Sequence, residues 1–227
     1  MSKGLFVTAT GTDVGKTFVT ALIVKKLRDA GYNAGYYKAV LSGAEKKENG
    51  LHAGDADYVS RVARIDENMK NLVTYVYENA VSPHLAAQIE GNPVEMHVVK
   101  AAYEKAASRY DYLTMEGSGG IMCPIRSDST SQIFLEDIIK ELNLTTILVA
   151  DAGLGTINSV VLSVEYMNHR NIPVKGIIFN HFHEGNVMEL DNKKMVEEIT
   201  GIPVIALVKE NDTEINIDAD ILAALYE

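Results

Sequence analysis

Apolar positions in this chain follow two spacings, which predict alternating strands and helices. A short apolar run at residues 5–7 predicts a strand, and apolar residues three and four positions apart predict a helix over 18–30. Further strands are predicted at 34–40, 72–77, 112–116, 146–150, 174–180 and 204–208, and helices at 55–63, 83–90, 94–110, 134–142, 157–170, 188–200 and 218–226. The polar stretch 41–54 is predicted to be a mobile surface loop.

This order of elements predicts the fold class. Strands that alternate with helices, several of them apolar along nearly their whole length, are typical of a mainly parallel sheet covered by helices on both faces. The sequence contains no linker, repeat or low-complexity tract. We therefore expect an α/β fold in a single domain spanning residues 1–227.

Composition and charge exclude several kinds of partner. Of the 227 residues, 47% are apolar and 23% are charged, and the formal net charge is −10. Nucleic acids and anionic membranes are bound chiefly through clustered Lys and Arg, so we expect neither as a partner. The first apolar run is too short for a signal-peptide core, which predicts a cytoplasmic protein. A single cysteine, Cys123, excludes an internal disulfide.

Residues 8–17, Thr-Ala-Thr-Gly-Thr-Asp-Val-Gly-Lys-Thr, connect the first predicted strand to the first helix. Small residues before a helix let backbone N–H groups and the helix dipole bind phosphates. Lys16 would then contact the β- and γ-phosphates, and the Thr17 hydroxyl would bind Mg²⁺. The usual Gly-x-x-x-x-Gly-Lys-Thr spacing places its first glycine at position 10, which is Thr10 here. The setting between strand and helix still predicts nucleotide binding and a P-loop NTPase-like fold.

Polar side chains also follow other predicted strands. Lys38 closes the second strand, Ser42 lies in the loop after it, Glu116 ends a middle strand and Asn180 ends a late one. Since ligands collect at the carboxyl ends of parallel strands, we expect these side chains to converge on one edge of the sheet. Asp55 and Glu116 could complete a Mg²⁺ site with Thr17. Asp55 is equally well placed to favour the start of a helix.

The chain resembles the dethiobiotin synthetases, a family of biotin-synthesis enzymes, in motifs that occur in the same order over most of its length. The matching segments are Thr8 to Thr17, Lys38-Ala39-Val40-Leu41-Ser42-Gly43, Asp55-Ala56, Ser82-Pro83-His84, Met115-Glu116-Gly117-Ser118-Gly119-Gly120 and Leu154-Gly155-Thr156-Ile157-Asn158. Jointly these motifs are far more specific than the phosphate loop alone.

The resemblance implies a reaction and its participants. The family closes a urea ring: 7,8-diaminononanoate, CO₂ and ATP give dethiobiotin, ADP and phosphate, through a carbamate and a carbamic-phosphoric anhydride. The implied cofactor is Mg²⁺, with ATP as co-substrate and CO₂ or bicarbonate as the carbon source. A homodimer is implied as well, in which the carboxylate tail of the diamine reaches the start of a helix from the second subunit.

The resemblance also implies roles for individual residues. The catalytic pair is Lys16 and Lys38, and the metal ligands are Thr17, Asp55 and Glu116. The nucleotide-binding residues are Asp13, Val14, Gly15, Lys16, Thr17, Phe18, Glu116, Asn180 and Glu210. The residues that bind the diamine or its carbamate are Thr12, Lys38, Ser42, Gly117, Gly119, Gly155 and Asn158.

Several positions depart from the family's pattern. Ala9 and Gly11 change the glycine spacing of the loop, Ala39 replaces a proline, and His181 follows Asn180 where aspartate is more usual. These differences leave the loop geometry and the base preference open.

Two other functions stay open on the sequence. A related P-loop ligase that activates a carboxylate would need an amide-transfer domain or its catalytic cysteine, and the chain offers neither the length nor a candidate. A nucleotide switch like the partitioning ATPases would carry a second lysine five residues before Lys16, but position 11 is glycine. The membrane-binding members of that group also need a basic amphipathic C-terminus, and this one is acidic.

Overall fold

A computed structural model describes residues 2–48 and 50–227 of the chain. Its strands are β1 (Lys3–Ala9), β2 (Ala34–Ser42), β3 (Glu45–Lys47), β4 (Gly50–His52), β5 (Val73–Tyr77), β6 (Tyr112–Glu116), β7 (Pro124–Ser127), β8 (Gln132–Phe134), β9 (Thr145–Asp151), β10 (Val174–Asn180) and β11 (Val204–Leu207). Its helices are α1 (Lys16–Asp29), α2 (Gly54–Ala63), α3 (Met69–Leu72), α4 (Pro83–Ile89), α5 (Met96–Ala107), α6 (Leu135–Glu141), α7 (Thr156–His169), α8 (Val187–Thr200) and α9 (Ala219–Ala223). Within these residues, no helix combines the length and the apolar character that crossing a bilayer requires.

Seven strands form one sheet in the order β11-β10-β9-β1-β6-β2-β5, and every neighbouring pair is parallel. The strands β1 and β2 are buried along nearly their whole length, as strands covered on both faces must be. The carboxyl ends of all seven strands therefore lie at one edge. The predicted α/β fold with a helix-covered parallel sheet is confirmed.

Helices cover both faces of this sheet. On one face α1, α2 and α9 form an apolar cluster that includes Leu5, Val7 and Ile23. On the other face α4, α5 and α6 pack around Phe6 and Met115, and α7 and α8 continue that layer over β9 and β10. Successive residues of β1 enter different apolar layers, so every residue of the strand after Lys3 is buried.

The structure corrects the predicted end of the second strand. β2 continues through Ser42, so Lys38 lies in the middle of the strand rather than at its end, and Ser42 is its last residue rather than a loop residue. The stretch predicted as a mobile loop contains the β3–β4 hairpin, and Asn49 within it lies outside the described residues. The hairpin residues are mostly charged and exposed, so they carry no alternation of apolar and polar positions that predicts strands.

Two further elements are absent from the predicted pattern. The antiparallel β7–β8 pair and the four-residue α3 are too short to show a clear periodicity. The predicted helix 94–110 is shorter than expected, since α5 spans Met96–Ala107. The C-terminal helix α9 is also shorter than predicted, and the Asp218 side chain caps its start.

The sheet order determines which strand separates the phosphate loop from Lys38. The strand β6 lies between β1 and β2, so these two strands are not neighbours. In the register of the sheet, Glu116 at the end of β6 is paired with Val7 on one side and with Lys38 on the other. Glu116 is thus placed between the loop after β1 and the lysine of β2.

Packing of α1 against the sheet should contribute measurably to stability. Ile23 is fully buried in α1, so Ile23→Ala should lower the free energy of unfolding by about 2–5 kcal/mol through lost burial and the cavity left behind. Ile221 in α9 is 60% exposed, and Ile221→Ala should change it by less than about 0.5 kcal/mol. Urea unfolding followed by circular dichroism measures both. Equal losses in the two variants would contradict this packing of α1.

Candidate active site

The loop between β1 and α1 has the backbone conformation that phosphate binding requires. Asp13 and Gly15 both adopt left-handed backbone angles, with φ of 61° and 81°. Gly15 is the N-cap residue of α1, and no side chain caps this helix start. The first N–H groups of α1 and its positive dipole end are therefore left for an anionic ligand.

A backbone constraint and a packing constraint both favour glycine at position 15. A positive φ disfavours residues with a side chain. A Cβ atom at this position would also lie 2.0 Å from Nδ2 of Asn180, which donates a hydrogen bond to the Val14 carbonyl oxygen at 3.1 Å. The phosphate loop is thereby tied to the end of β10. This contact brings Asn180 to the loop, as the prediction of convergence on one edge requires.

Glu116 is the centre of the site. The residue is 1% exposed, and its Oε1 atom accepts hydrogen bonds from the Thr17 hydroxyl at 2.7 Å and from Lys38 Nζ at 2.8 Å. Its Oε2 atom accepts a hydrogen bond from the Tyr36 hydroxyl at 2.9 Å. Three donors from α1 and β2 therefore hold one buried carboxylate.

Lys38 is held between two carboxylates. Besides Glu116, its Nζ atom contacts Oδ2 of Asp55, from the first turn of α2, at 2.5 Å. Burial by itself lowers the pKa of Lys38, but the charges of Glu116 and Asp55 outweigh it, and the pKa is raised above its usual value. Lys38 is therefore an ammonium ion at neutral pH.

Lys16 differs from Lys38 in its electrostatic surroundings. Burial lowers the pKa of Lys16 from its usual value; the Glu116 carboxylate opposes this shift, and the Lys38 charge adds to it. The protein therefore compensates the positive charge of Lys16 only in part. A bound phosphate would supply the remaining negative charge.

These side chains surround one cavity of about 340 Å³. Its lining residues are Thr12, Asp13, Gly15, Lys16, Thr17, Lys38, Leu41, Ser42, Asp55, Glu116, Ser118 and Gly119. The structure therefore brings together both predicted lysines, all three predicted metal ligands and most of the predicted diamine contacts.

Other residues predicted for the site lie outside that cavity. Val14 and Phe18 pack against the apolar cluster beneath α1. Gly117 lies against the core, where a Cβ atom would be 2.8 Å from Phe6. Gly155 is the N-cap residue of α7, and Asn158 is exposed in the first turn of that helix. The binding roles of these residues stay predictions.

The predicted nucleoside contacts lie at the end of β10. Asn180 is fully buried, and its Oδ1 atom has no hydrogen-bond partner among the described residues. Backbone bonds from Val208 to Phe179 and from Phe182 to Val208 hold the chain after β11 beside this strand end. Glu210 follows two residues later and is exposed. His181 Nδ1 lies 2.8 Å from an Asp151 oxygen, which fixes its ring beside Asn180.

Sequence reasoning did not find three residues of the site, namely Tyr36, Leu41 and Ser118. Leu41 and Ser118 line the cavity, and the Ser118 hydroxyl donates to the Val40 carbonyl oxygen. Tyr36 precedes Lys38 by two residues, so both side chains lie on one face of β2. That spacing is a signal that could have identified Tyr36.

The predicted metal ligands fit Mg²⁺ in their chemistry. The Thr17 hydroxyl and the carboxylates of Asp55 and Glu116 are hard oxygen ligands. Glu116 contacts Thr17 directly, and Lys38 Nζ bridges Glu116 and Asp55. Two carboxylates are also the usual number in a Mg²⁺ site that includes phosphates and water. In residues 2–48 and 50–227 no group of three or more His, Cys, Asp and Glu side chains is arranged to hold a metal.

Comparisons with known proteins identify the family. A family model described as an AAA domain matches residues 3–216. A Brachyspira hyodysenteriae protein named ATP-dependent dethiobiotin synthetase BioD is 51% identical over all 227 residues, which cover the whole of both chains. A Clostridium botulinum protein of the same name is 46% identical over all of this chain and 99% of its own. The chain belongs to the dethiobiotin synthetase family.

Solved structures support the fold of this dethiobiotin synthetase family member at much lower identity. A ParA family ATPase from Chlorobium tepidum matches with a TM-score of 0.53 at 13% identity, covering 93% of this chain and 84% of that one. MinD from Aquifex aeolicus matches with a TM-score of 0.52 at 12% identity, covering 92% and 83%. At such identities the likeness is one of fold alone.

Loss of the Lys16 charge should abolish turnover. Lys16→Ala removes a positive charge where the transition state of phosphoryl transfer spreads negative charge, so kcat should fall by ~10²-fold or more. Lys26→Ala, at the far end of α1, is the matched control and should leave kcat unchanged. Phosphate release at saturating ATP measures both. Near-normal turnover in Lys16→Ala would contradict the phosphate-loop assignment.

Proposed function

We propose that this chain closes a urea ring on 7,8-diaminononanoate with CO₂ and ATP, giving dethiobiotin, ADP and phosphate. The observation that carries the proposal is the gathering of a phosphate loop, two lysines and two carboxylates around one cavity. Relatives named ATP-dependent dethiobiotin synthetase, at 46% and 51% identity over full length, support the same reaction.

The reaction consists of three steps. One amine of the substrate adds to CO₂, forms a C–N bond and loses a proton, which gives a carbamate. A carbamate oxygen then attacks the γ-phosphorus of ATP, the bond to ADP breaks, and a carbamic-phosphoric anhydride forms. Finally the second amine attacks the carbonyl carbon, loses a proton and expels phosphate, which closes the ring.

Lys16 and Lys38 stabilise negative charge during these steps. A carbamate between them would lie next to two ammonium groups and close to the phosphate loop, so that it is oriented towards the γ-phosphorus. The charges of Glu116 and Asp55 raise the pKa of Lys38, which favours its charged form. Neither lysine has to donate or accept a proton in the phosphoryl transfer.

Thr17, Asp55 and Glu116 would hold Mg²⁺. When bound, the ion would neutralise charge on the phosphate oxygens of ATP. The ammonium group of Lys38 contacts both carboxylates in the present structure, so metal binding would require it to share them. The same carboxylates thus serve both cations.

Hydrogen-bonding groups around the cavity would recognise the two substrates. Thr12 and Ser42 line the cavity together with Lys38 and would bind the diamine or its carbamate. The buried Oδ1 atom of Asn180 has no hydrogen-bond partner in the described part of the chain and is an acceptor that suits the amino group of adenine. Glu210 would lie near the nucleoside.

A homodimer would complete the binding of the diamine. Leu154 and Leu162 of the α7 region are 92% and 62% exposed, and Met122 is 58% exposed, which provides apolar surface for a second subunit. The start of α7 has no side-chain cap, and the buried Thr156 hydroxyl there has no partner among the described residues. These free donors suit the carboxylate tail of a diamine bound in the other subunit.

The cellular setting of this proposal is the cytoplasm, with small molecules as the reaction partners. The net charge of −10 disfavours binding to nucleic acid or to an anionic membrane.

Phosphate release should require the diamine and bicarbonate together, with one ADP formed per ring closed. Label from ¹³C-bicarbonate should appear in a urea carbonyl, measured by NMR of the product. ATP hydrolysis at the same rate without the diamine, and no labelled urea, would contradict ring closure and favour a nucleotide switch.

The Lys38→Met variant tests the carbamate side of the site within the same assay. Ring closure should be strongly suppressed, with a much smaller effect on the affinity for Mg·ATP, because the Lys38 charge is directed at the carbamate. Thermal unfolding in the presence of Mg·ADP controls for loss of the buried ion pair.

Asn158→Leu should raise the KM for the diamine more than it lowers kcat, because the carboxylate tail is bound equally in the ground state and the transition state. Asn168→Leu, exposed at the opposite end of α7, is the matched control and should leave both constants unchanged. Steady-state kinetics and sedimentation at assay concentrations test the pair. A fully active monomer would overturn the shared site.

A further inference from the structure

We propose that Tyr36 is a positioning residue: its hydroxyl orients the Glu116 carboxylate so that Oε1 faces Thr17, Lys38 and the metal. The inference rests on the proposed Mg²⁺·ATP site and deepens it. Tyr36 touches neither ATP nor the diamine in this arrangement, because it does not line the cavity. Its effect is exerted through Glu116.

The two oxygens of Glu116 have separate partners. Oε1 accepts from Thr17 and Lys38, both of which line the cavity, whereas Tyr36 is the donor to Oε2 among the described residues. The Glu116 side chain has no exposed surface, so water cannot replace a missing donor at Oε2. Without the phenol, rotation of the carboxylate would be the simplest way to bring Oε2 to Thr17 or Lys38, and Oε1 would lose its fixed direction.

The phenol of Tyr36 acts only as a donor. Tyr36 is fully buried, and its hydroxyl lies 2.9 Å from Oε2 of Glu116. A tyrosine hydroxyl ordinarily keeps its proton at neutral pH, so the phenol donates and the carboxylate oxygen beside it accepts. A hydrogen bond to an ionised acceptor is stronger and more directional than one between neutral groups.

The sheet explains how Tyr36 reaches this position. Tyr36 and Lys38 are two residues apart on β2, and their register partners on β6 are Thr114 and Glu116. All four side chains consequently lie on the same face of two neighbouring strands. Tyr37 lies on the opposite face, where its hydroxyl is 2.7 Å from Thr74 Oγ1.

This alternation supplies a matched pair of variants. Tyr36→Phe and Tyr37→Phe each remove one hydroxyl from a buried tyrosine of the same strand, but only the first touches Glu116. Partners that orient a metal ligand typically contribute 10–100-fold to metal affinity. We expect Tyr36→Phe to weaken the Mg²⁺-dependent part of ADP binding by about 10-fold, and Tyr37→Phe to leave it unchanged.

Calorimetric titration with ADP, in the presence of Mg²⁺ and of EDTA, is the measurement, and it needs no turnover. ADP binding in EDTA should change less than twofold in both variants, and the Mg²⁺ concentration for half-maximal turnover should rise only in Tyr36→Phe. Equal Mg²⁺ responses in Tyr36→Phe and wild type would overturn the proposal, as would equal losses in the two tyrosine variants.

A double-mutant cycle separates this inference from the proposed function. Glu116→Gln should itself weaken Mg·ADP binding, and Tyr36→Phe should add little in that background, because Tyr36 acts through Glu116. The comparison of Glu116→Gln with the double variant also tests the inference if Tyr36→Phe alone is too unstable to purify. If Tyr36→Phe weakens Mg·ADP binding in the Glu116→Gln background by the full amount expected for the single variant, the inference is contradicted. A wild-type protein that binds Mg·ADP but forms no urea would refute the proposed function and leave the result for Tyr36 intact.

Discussion

A carboxylate without access to solvent must have its charge and its lone pairs satisfied by the protein, and Glu116 imposes this requirement at the centre of the sheet. An ammonium group, a threonine hydroxyl and a phenol meet it from two different elements. Removing one member of such a buried set is costly because the remaining charge cannot be hydrated. The helix that begins at the phosphate loop and the strand that carries Lys38 are therefore fixed relative to each other by electrostatics as well as by apolar packing.

The sequence pattern was sufficient for the elements that are long and periodic. Strands such as β1 and helices such as α1 were predicted because their apolar spacing is unambiguous, and the glycine-rich turn after Glu116 correctly indicated a strand end. The β3–β4 hairpin could not be predicted in this way, because exposed charged residues carry no spacing signal. The predicted position of Lys38 at the end of β2 was wrong. A charged residue was expected to end a strand, but the carboxylates of Asp55 and Glu116 allow Lys38 to be buried in the middle of β2.

Fold and site contribute separately to the functional conclusion. The parallel sheet with a loop after its first strand is shared with ParA and MinD proteins at 12–13% identity, so this architecture alone does not select a reaction. The residues at the edge of that sheet add what the architecture alone lacks. Lys38 and Ser42 of β2 and Asp55 of α2 line the same cavity as Lys16 and Thr17 of the phosphate loop. Relatives that are 46% and 51% identical over the whole chain carry the name dethiobiotin synthetase, whereas the likeness to ParA and MinD is one of fold alone.

The order of strands determines which charged groups surround the two lysines of the cavity. Had β2 followed β1 directly in the sheet, Lys38 would lie beside the phosphate loop without Glu116 between them, and Asp55 alone would offset the repulsion between the two lysines. Because β6 lies between β1 and β2, Glu116 is placed between Lys16 and Lys38 and offsets their repulsion. Burial still lowers the pKa of Lys16, so its charge is only partly compensated. Lys16 thus remains available to a negatively charged group of a ligand, such as a nucleotide phosphate or a carbamate. Sheet topology, which local sequence patterns do not reveal, is therefore part of the chemistry.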